Sequence, residues 1–547
     1  MNNAQFYYPR PANEPAFEYK EGTPDRIALE QEVEKHSNQH IEIPLIIGGK
    51  EIFTGKTGKV VSPHNHKQVL ATYHMAGEKE VNMAIEAAMK AHEHWATLSW
   101  IERSSIILKI SELMATKYRY LVNATTMVGQ GKNAFQSEID AVAESIDFLR
   151  FNAHYVSEIY NDQPHSETGN LNRIEYRPLE GFVFAISPFN FTSIALNLAL
   201  APAILGNTIV WKPSSTALLS NYYLMKIYKE AGLPDGVVNF IPGPGSEIGD
   251  IVLKHKDLGG VHFTGGNNTF NHIWKTIASN IENFKSYPRI VGETGGKDFV
   301  FVHNSANIKE VATALVRGAF EYQGQKCSAA SRAYIPKSLW EPLKKQMEEN
   351  LGKVKQGDIK DFCNFVNAVI DESAFNRIMG YIDKAKDSKD AEIVFGGKGD
   401  KSKGYFIEPT VILAKNPHFV TMEEEIFGPV LTLYVYEDED YEKTLEMCDR
   451  TSPYGLTGSI FSNDVYARTK ACQILRYAAG NFYFNDKPTG AVVGQQPFGG
   501  SRQSGTNDKA GSYLNLLRWI SPRTLKETFM PPTDFRYPFM HEQKCDC

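Results

Sequence analysis

A cysteine and a glutamate in the middle of the chain have side chains suited to a nucleophile and a base. Cys327 lies in EYQGQKCSAASR, after a predicted helix and a Gly-containing turn, where a side chain can be presented to a cleft. Glu293 lies in VGETGGKDF, a glycine-rich turn from which a carboxylate could reach a water or a thiol. Taken singly, such a cysteine is more often an apolar filler, and such a glutamate a solvated loop acid. Their contexts make them a candidate nucleophile and a candidate base.

Two further polar residues follow predicted strands. Asn190, in ISPFNF, lies between a strand and a helix, so its amide could stabilise an oxyanion or could simply cap the helix. Lys212, in VWKPSS, stands where a Rossmann-type fold meets an adenosine ribose or phosphate, and a surface lysine is the alternative. Glycine-rich turns at 243–249 and 263–268 suit the approach of a pyrophosphate, although neither has the G-x-G-x-x-G spacing.

Short apolar runs and helical patterns alternate around these residues, which indicates a parallel sheet with crossover helices. The expected strands are 182–187, 208–211, 237–241, 260–263 and a segment near 289–291, and the expected helices are 191–205, 216–231, 246–255 and 269–282. This is the pattern of a doubly wound, Rossmann-like unit.

Helical periodicity before this unit and a second α/β region after it complete the expected organisation. Amphipathic helices are predicted over 78–120 and 138–154. The second region starts with the strand FVFVH at 299–303 and a helix over 308–322, and it continues to about 485. We interpret it as a separate catalytic lobe.

Composition favours an enzyme of small molecules over a nucleic-acid-binding or membrane protein. A net charge of −6 provides no basic field, and no run of 18 apolar residues occurs. The six cysteines include a terminal pair, Cys545 and Cys547, but match no zinc spacing, so neither a metal nor a disulfide scaffold is expected. The first 25 residues show no targeting pattern, so we expect a cytoplasmic protein, or a mitochondrial matrix protein that has lost a presequence.

Seven segments, taken together, resemble the aldehyde dehydrogenase superfamily. They occur in the order of that family over about 45–525, and they read SPFN, WKPS, FTGG, ETGGK, GQKCSA, EEEIFGPV and PFGGSRQSG. The resemblance implies an α/β fold with a Rossmann-type NAD-binding domain, an α/β catalytic domain and a small β oligomerisation flap. It also implies that Cys327 is the nucleophile, that Glu293 activates water, and that the Asn190 amide and the Cys327 backbone N–H form an oxyanion hole.

The same resemblance implies NAD as the cofactor. Lys212 would bind the adenosine ribose, Glu425 the nicotinamide ribose, and Phe427 would flank the ring. Ser215 replaces a ribose-binding glutamate of many NAD-specific members and removes a charge that would repel a 2′-phosphate, so NADP stays open as a cofactor. Gly266 replaces a phosphate-binding serine. The other residues expected at the cofactor are Ile186, Ser187, Pro188, Phe189, Gly245, Thr264, Gly265 and Glu293.

Within the family, the chain is most similar to members that oxidise glutamate γ-semialdehyde, the second step of proline breakdown. The similarity lies in FNFTSIALNLA, GQKCSAASR, TGAVVGQQPFGGSRQSGTNDK and AESIDFLRFN. It implies that Ser328 and the Gly490-Ala491 backbone anchor the α-carboxylate, and that Phe191 and Phe498 enclose the aliphatic part. Lys326 and Glu144 match charged positions near that pocket, with ordinary ion pairs as the equal alternative.

The resemblance also predicts domain limits and partners. We expect an NAD-binding domain over 1–155 and 182–292, a catalytic domain over 293–504, and a flap and C-terminal arm over 156–181 and 505–547. A flap of this kind adds strands to a partner's sheet, so at least a homodimer is expected. The length leaves no room for a proline dehydrogenase domain, so a separate proline dehydrogenase would supply the substrate.

Two other functions are open at this stage. One is NAD(P)-dependent oxidation of another semialdehyde or an aliphatic aldehyde, with the same chemistry and a different anchor. The other is a non-catalytic protein of the same fold, which the joint presence of Cys327, Glu293 and Asn190 argues against.

Overall fold

The computed structural model describes residues 6–541, and its strands fall into two large sheets and several small ones. The strands in chain order are β1 Ile41–Ile43, β2 Leu45–Ile47, β3 Lys50–Ile52, β4 Thr57–Ser62, β5 Asn65–His74, β6 Asn170–Pro178, β7 Phe182–Ile186, β8 Ile209–Lys212, β9 Val238–Phe240, β10 Leu258–Thr264, β11 Arg289–Glu293, β12 Asp298–Val302, β13 Ala330–Pro336, β14 Ala391–Phe395, β15 Gly399–Asp400, β16 Phe406–Ile407, β17 Thr410–Ala414, β18 Val430–Tyr436, β19 Tyr454–Gly455, β20 Thr457–Phe461, β21 Asn481–Phe484, β22 Ser501–Arg502 and β23 Ile520–Thr528.

Helices cover the faces of both large sheets. The α-helices in chain order are α1 Pro24–Asn38, α2 Glu78–Trp95, α3 Trp100–Ala115, α4 Arg119–Gln130, α5 Ala134–Ser137, α6 Glu144–Asn161, α7 Thr192–Ile204, α8 Leu218–Ala231, α9 Gly245–Leu253, α10 Asn267–Ala278, α11 Ile308–Phe320, α12 Lys337–Leu351, α13 Glu372–Lys386, α14 Val420–Glu423, α15 Tyr441–Arg450, α16 Val465–Ile474, α17 Tyr513–Leu516 and α18 Pro538–His541. A π-helical turn, Glu138–Ala143, joins α5 to α6.

The first large sheet has the strand order β11-β10-β7-β8-β9-β2-β3. Strands β7 to β11 run parallel, and β2 and β3 add an antiparallel edge. Alternate residues of β7 enter different cores: Val183 packs with the cluster that includes α3, α6 and α7, and Phe184 packs with the cluster that includes α2 and α9. Both faces are therefore buried, as in a doubly wound sheet.

The second large sheet has the order β14-β17-β18-β13-β12-β20-β21 and is parallel apart from β14. Val300 packs with residues of α11 and α12 on one face, and Phe301 packs with residues of α15 and α16 on the other. Strand β11 leads through only four residues, 294–297, into β12. The two sheets are thus joined directly, with the carboxyl end of one strand next to the amino end of the other.

A two-stranded antiparallel ribbon, β6 with β23, stands apart from both sheets. Its residues alternate between partly buried and exposed along β6. The helix before it, α6, continues to Asn161 because Val156 and Ile159 are buried in the core, so the first residues of the expected flap at 156–181 are helical. The expected domain limits stay predictions.

The α/β class and the strand-helix alternation are confirmed, and one helix end is corrected. The helix expected over 308–322 ends at Phe320, because Tyr322 and Gln323 adopt left-handed backbone angles (φ 50° and 56°). Tyr322 donates to the carbonyl of Gln130 (2.9 Å), and the Gln323 amide donates to the carbonyl of Ala368 (2.8 Å). These bonds turn the chain out of the helix just before the loop that carries the predicted nucleophile.

Two structural features are absent from residues 6–541. No helix there combines the length and apolar character that a membrane crossing needs. No cluster of three or more His, Cys, Asp or Glu side chains there has a geometry suited to a metal ion. The expected terminal pair Cys545 and Cys547 lies outside the described residues.

Gly324 gives a test of the turn before Cys327. Its φ is +66°, and an added Cβ would overlap the carbonyl oxygen of Gly428. We expect Gly324→Ala to lower the free energy of unfolding by about 2–4 kcal/mol, since strain and overlap add. Gly380→Ala is the control, because Gly380 lies inside α13 with open space at its Cβ position. Urea unfolding measures both, and equal stabilities of the two variants would contradict the assigned strain.

Candidate active site

The predicted cofactor residues lie at the carboxyl edge of the first sheet. Ile186 and Lys212 end β7 and β8, Thr264 and Glu293 end β10 and β11, and Gly245 begins the helix after β9. From β7, strands β8 and β9 are added on one side of the sheet, and β10 and β11 are then added on the other side, so the strand order reverses at β7. Ligands of open α/β sheets bind at such a switch point, next to the carboxyl ends of the strands.

The second sheet contributes the amino ends of its central strands to the same place. Lys297 precedes β12, Cys327 lies three residues before β13, and Glu425 and Phe427 precede β18. The backbone N–H of Gly296 donates to Oε1 of Glu425 (2.9 Å). The loops of the two sheets therefore meet around the connection 294–297.

Cys327 is partly exposed at this junction. Removal from bulk water raises the pKa of its thiol well above the usual range, and the nearby carboxylates of Asp298, Glu293 and Glu425 raise it further. Because the thiolate is the reactive form, this pKa keeps the thiol protonated until a base or a bound cation changes its surroundings. The structure thus brings the predicted nucleophile and the predicted base together.

The Glu293 carboxylate is poorly satisfied by protein. Its Oε2 is buried and, among residues 6–541, has no hydrogen-bond partner. Burial raises the pKa of this carboxyl well above its usual range, and the charge of Lys509 opposes the increase while that of Asp508 adds to it. A carboxylate of raised pKa, with one buried oxygen that lacks a partner and with the Cys327 thiol within range of its charge, is suited to accept a proton from water or from the thiol.

Asn190 is buried at the end of the turn that follows β7. Its amide nitrogen donates one hydrogen bond, to the backbone carbonyl of Gln325 (3.1 Å), two residues before Cys327. An amide nitrogen has two N–H groups, and within the described part of the chain the second has no acceptor. That N–H is left to donate to another group, and the side chain does not cap the helix, because Phe191 holds the cap position. The oxyanion role of Asn190 stays a prediction.

The residues expected at NAD fit a dinucleotide. Gly245 and Gly266 are exposed with open space beside them, at the starts of α9 and α10, where backbone N–H groups can meet phosphates. Burial lowers the pKa of Lys212, and Ser215 is exposed beyond it. The expected residues that are partly exposed or buried along the same edge are Ile186, Ser187, Pro188, Phe189, Thr264 and Gly265.

An aromatic pair and a carboxylate lie where the loop before β18 meets the connection 294–297. The rings of Phe189 and Phe427 meet edge to face with centroids 5.8 Å apart, and Phe427 has a left-handed φ of 55°. The Glu425 carboxylate is almost buried, and burial raises its pKa to about 7. Glu425 lies so close to Gly295 that a side chain there would overlap it. A ribose hydroxyl would find an acceptor at Glu425 and an apolar wall at Phe427.

The expected carboxylate anchor is partly assembled. Ser328 is buried, and its hydroxyl is 2.7 Å from that of Thr489. Gly490 follows Thr489, is exposed and has a φ of 97°, and Ala491 is partly exposed. Thr489 was missed from the sequence, where a threonine before a Gly-Ala pair carries no distinctive signal.

A buried charge cluster borders the aromatic Phe191. The Lys132 ammonium lies 4.3 Å from the Phe191 ring centre and pairs with Asp140 (2.5 Å), and burial lowers its pKa to about 8. Lys326 bonds to Gln136 and lies 3.6 Å from Asp140. Lys132 and Asp140 were not predicted from the sequence, since their pairing needs the turn between α4 and the π-helical segment.

Two other predicted substrate residues, Glu144 and Phe498, have partners of their own in the protein. Glu144 bonds to the Ser193 hydroxyl, and burial raises its pKa to about 8. Phe498 is partly exposed and forms paired backbone bonds with Ala510 (3.0 and 2.8 Å). No short contact joins Glu144 to Phe498 in the described structure. Their roles toward a substrate stay predictions.

Comparison with known proteins places this site in a family. The model of the aldehyde dehydrogenase family matches residues 53–522. The chain belongs to that family.

Particular relatives resemble nearly the whole chain. The mitochondrial delta-1-pyrroline-5-carboxylate dehydrogenase of Dictyostelium discoideum is 55% identical over 97% of this chain and 96% of its own. The delta-1-pyrroline-5-carboxylate dehydrogenase of Agaricus bisporus is 50% identical over 98% of both chains. The crystal structure of the Mycobacterium tuberculosis delta-pyrroline-5-carboxylate dehydrogenase bound with NAD superposes with a TM-score of 0.95, at 48% identity, over 98% of this chain and all of that one.

The raised pKa of Glu293 gives a pH prediction. A base works only when deprotonated, so turnover should increase as the pH rises through the pKa of Glu293. Because Lys509 is the charge that lowers this pKa, Lys509→Met should move the acidic limb of the kcat profile upward by about one pH unit.

The controls separate charge from packing. Lys509→Arg keeps the charge, and Lys345→Met removes an exposed charge on α12, so both should leave the limb in place. Steady-state rates of cofactor reduction from pH 5.5 to 9.5 give the profiles. A profile of Lys509→Met that matches the parent profile would contradict the assigned coupling.

Proposed function

We propose that this protein oxidises L-glutamate γ-semialdehyde, which is in equilibrium with 1-pyrroline-5-carboxylate, to L-glutamate with NAD as the oxidant. The observation that carries the proposal is the partly exposed Cys327 near Glu293, whose Oε2 has no hydrogen-bond partner in the described structure, together with the Asn190 amide, which is bonded to the carbonyl of Gln325 in the cysteine loop. The names of the relatives that match the whole chain support the same substrate. This reaction is the second step of proline catabolism.

The residues divide the reaction into two steps. The Cys327 thiol gives its proton to bulk water, and its sulfur bonds to the aldehyde carbon, giving a thiohemiacetal whose oxygen accepts from Asn190 and from the Cys327 N–H. NAD, when bound, accepts the hydride that leaves this carbon. A thioester on Cys327 results. Glu293 then removes a proton from water, which attacks the thioester and releases the carboxylate and the thiol.

Different residues would bind the different parts of the substrate and the cofactor. Ser328 and the backbone N–H groups of Gly490 and Ala491 would bind the α-carboxylate, and Phe191 and Phe498 would enclose the methylene groups. We propose that Lys326 and Glu144 lie behind this pocket, where Lys326 is close to Asp140 and the charge of Lys132 favours the ionised form of Glu144. Lys212, Ser215, Glu425 and Phe427 would hold the cofactor, and the absence of a carboxylate at Ser215 leaves room for some use of NADP.

We also propose that the protein is at least a homodimer. The ribbon of β6 and β23 has outer edges whose backbone groups can pair with a strand of a second copy. A separate proline dehydrogenase would supply the substrate. The cytoplasmic and mitochondrial locations both agree with this role, and the name of the Dictyostelium relative includes the mitochondrion.

A substrate panel tests the proposed anchor. We expect kcat/KM for pyrroline-5-carboxylate to exceed that for succinate semialdehyde and propanal by about 100-fold or more, because a site built for a polar group rejects analogues that lack it. NAD and NADP are compared with each substrate. Ser328→Ala should lower the preference over propanal about tenfold. Ser331→Ala is the control, because its hydroxyl faces the carbonyl of Asp298 at 3.5 Å. Equal rates with all three aldehydes would leave the family chemistry and refute the anchor.

A further inference from the structure

The N-terminal segment, residues 6–20, lies outside the 53–522 family match and has no helix or strand. It is nevertheless bonded to the protein at its start. The Asn161 amide donates to the carbonyl of Phe6 (2.8 Å), and the backbone N–H of Tyr8 donates to the Ser157 hydroxyl (3.1 Å). The segment therefore begins against the last turns of α6.

The middle of this segment reaches the loop that carries the proposed carboxylate anchor. We call residues 489–496 the anchor loop. Arg10 donates to the carbonyl of Gly494 (3.0 Å), and the Asn13 amide nitrogen donates to the carbonyl of Val493 (2.8 Å). In return, the Gln495 amide donates to the Asn13 oxygen (2.8 Å). Three consecutive residues of the loop are thus held by two residues of the segment.

Asn13 also ties the loop to a rigid helix. Its amide nitrogen donates to Asp147 (2.8 Å), and the backbone N–H of Glu14 donates to the other oxygen of the same carboxylate (2.7 Å). Asp147 lies on α6, one turn from Glu144. The Glu14 carboxylate in turn pairs with Arg119 and Arg150 (2.6 and 2.7 Å). The segment is therefore fixed to the helical frame at the point where it holds the loop.

At its start the anchor loop is held through Thr489, whose hydroxyl is bonded to Ser328 and whose carbonyl accepts from Lys487 (2.8 Å), and beyond Thr489 its other attachments are few. Val493 packs against Phe148 and Phe151, but Gly490 is exposed, and Gly490 and Gly494 both have positive φ. The polar bonds within the loop form a turn between Val492 and Gln496, which holds the loop to itself. Glycines enlarge the range of backbone conformations that such a loop can adopt, so an external contact must select one.

We propose that Asn13 is a positioning residue for substrate specificity, because it fixes the anchor loop to α6 and so holds the Gly490 and Ala491 N–H groups in place for the α-carboxylate. The inference rests on the proposed function of that loop. An amide suits the position because both N–H groups donate, to Asp147 and Val493, while the oxygen accepts from Gln495. Without the bonds of Asn13, the affinity for the substrate should fall, because substrate binding must then also order the anchor loop.

The test compares Asn13→Ala with Asn161→Ala. Asn161 binds the same segment at Phe6, away from the anchor loop, so it is a matched control. We expect Asn13→Ala to raise KM for pyrroline-5-carboxylate about tenfold, with kcat and the kcat/KM for propanal within about twofold of the parent. Asn161→Ala should leave all three unchanged. Arg10→Ala, which removes one bond to the loop, should raise KM about threefold and serves if Asn13→Ala is poorly folded.

Hydrogen exchange of the peptide 489–496 gives a readout that does not depend on activity. Faster exchange there in Asn13→Ala, but not in Asn161→Ala, together with the selective KM change, would support the proposal. Unchanged exchange would overturn the positioning role, and equal losses with pyrroline-5-carboxylate and propanal would overturn the link to specificity. A parent enzyme without preference for pyrroline-5-carboxylate would refute the proposed function instead, and the exchange result would still decide whether Asn13 holds the loop.

Discussion

The short connection from β11 to β12 is the constraint on which the site depends. Only residues 294–297 separate the carboxyl end of one sheet from the amino end of the other. A side chain at position 295 would overlap the Glu425 carboxylate, and one at position 296 would overlap the Cys327 carbonyl oxygen. The loops that carry Glu425 and Cys327 can therefore pack against this connection only because both positions are glycine. The predicted base Glu293, the predicted nucleophile Cys327 and the predicted ribose-binding residue Glu425 are thereby brought together.

This closeness has an electrostatic consequence. Burial raises the pKa of Asp298 to about 8 and lowers that of Lys297 to about 7, and the Lys297 ammonium and one Asp298 oxygen have no hydrogen-bond partner within residues 6–541. Carboxyl groups crowded into a dry region tend to stay neutral, so few of them are charged at once. A cofactor with a positive ring would favour the charged forms of Cys327 and of these carboxyls. The site is therefore suited to become reactive only when it is filled.

Alternating apolar runs allowed the fold class to be predicted, because they depend on local physics, whereas the shared site of Cys327 and Glu293 was implied only by the family resemblance. The sequence could not reveal the Lys132–Asp140 pair, which depends on the turn between α4 and the π-helical segment, or the bonds of Asn13 to Val493, which join residues far apart in the chain. The helix predicted to extend to residue 322 ends earlier, because the Tyr322 hydroxyl bonds to the carbonyl of Gln130, a residue far away in the chain, and the Tyr322 backbone is left-handed. Tertiary contacts of this kind leave no periodic trace in the sequence.

Acyl transfer through Cys327 is tested most directly by a single-turnover experiment on Glu293→Gln with NAD and pyrroline-5-carboxylate. We expect a burst of about one reduced cofactor per site followed by slow turnover, because hydrolysis of the thioester loses its base. The intact mass of the quenched protein should increase by the acyl group, and Cys327→Ser should show neither burst nor mass increase. The absence of both burst and adduct in Glu293→Gln, with all steps slowed equally, would contradict the covalent role of Cys327 or the water-activating role of Glu293.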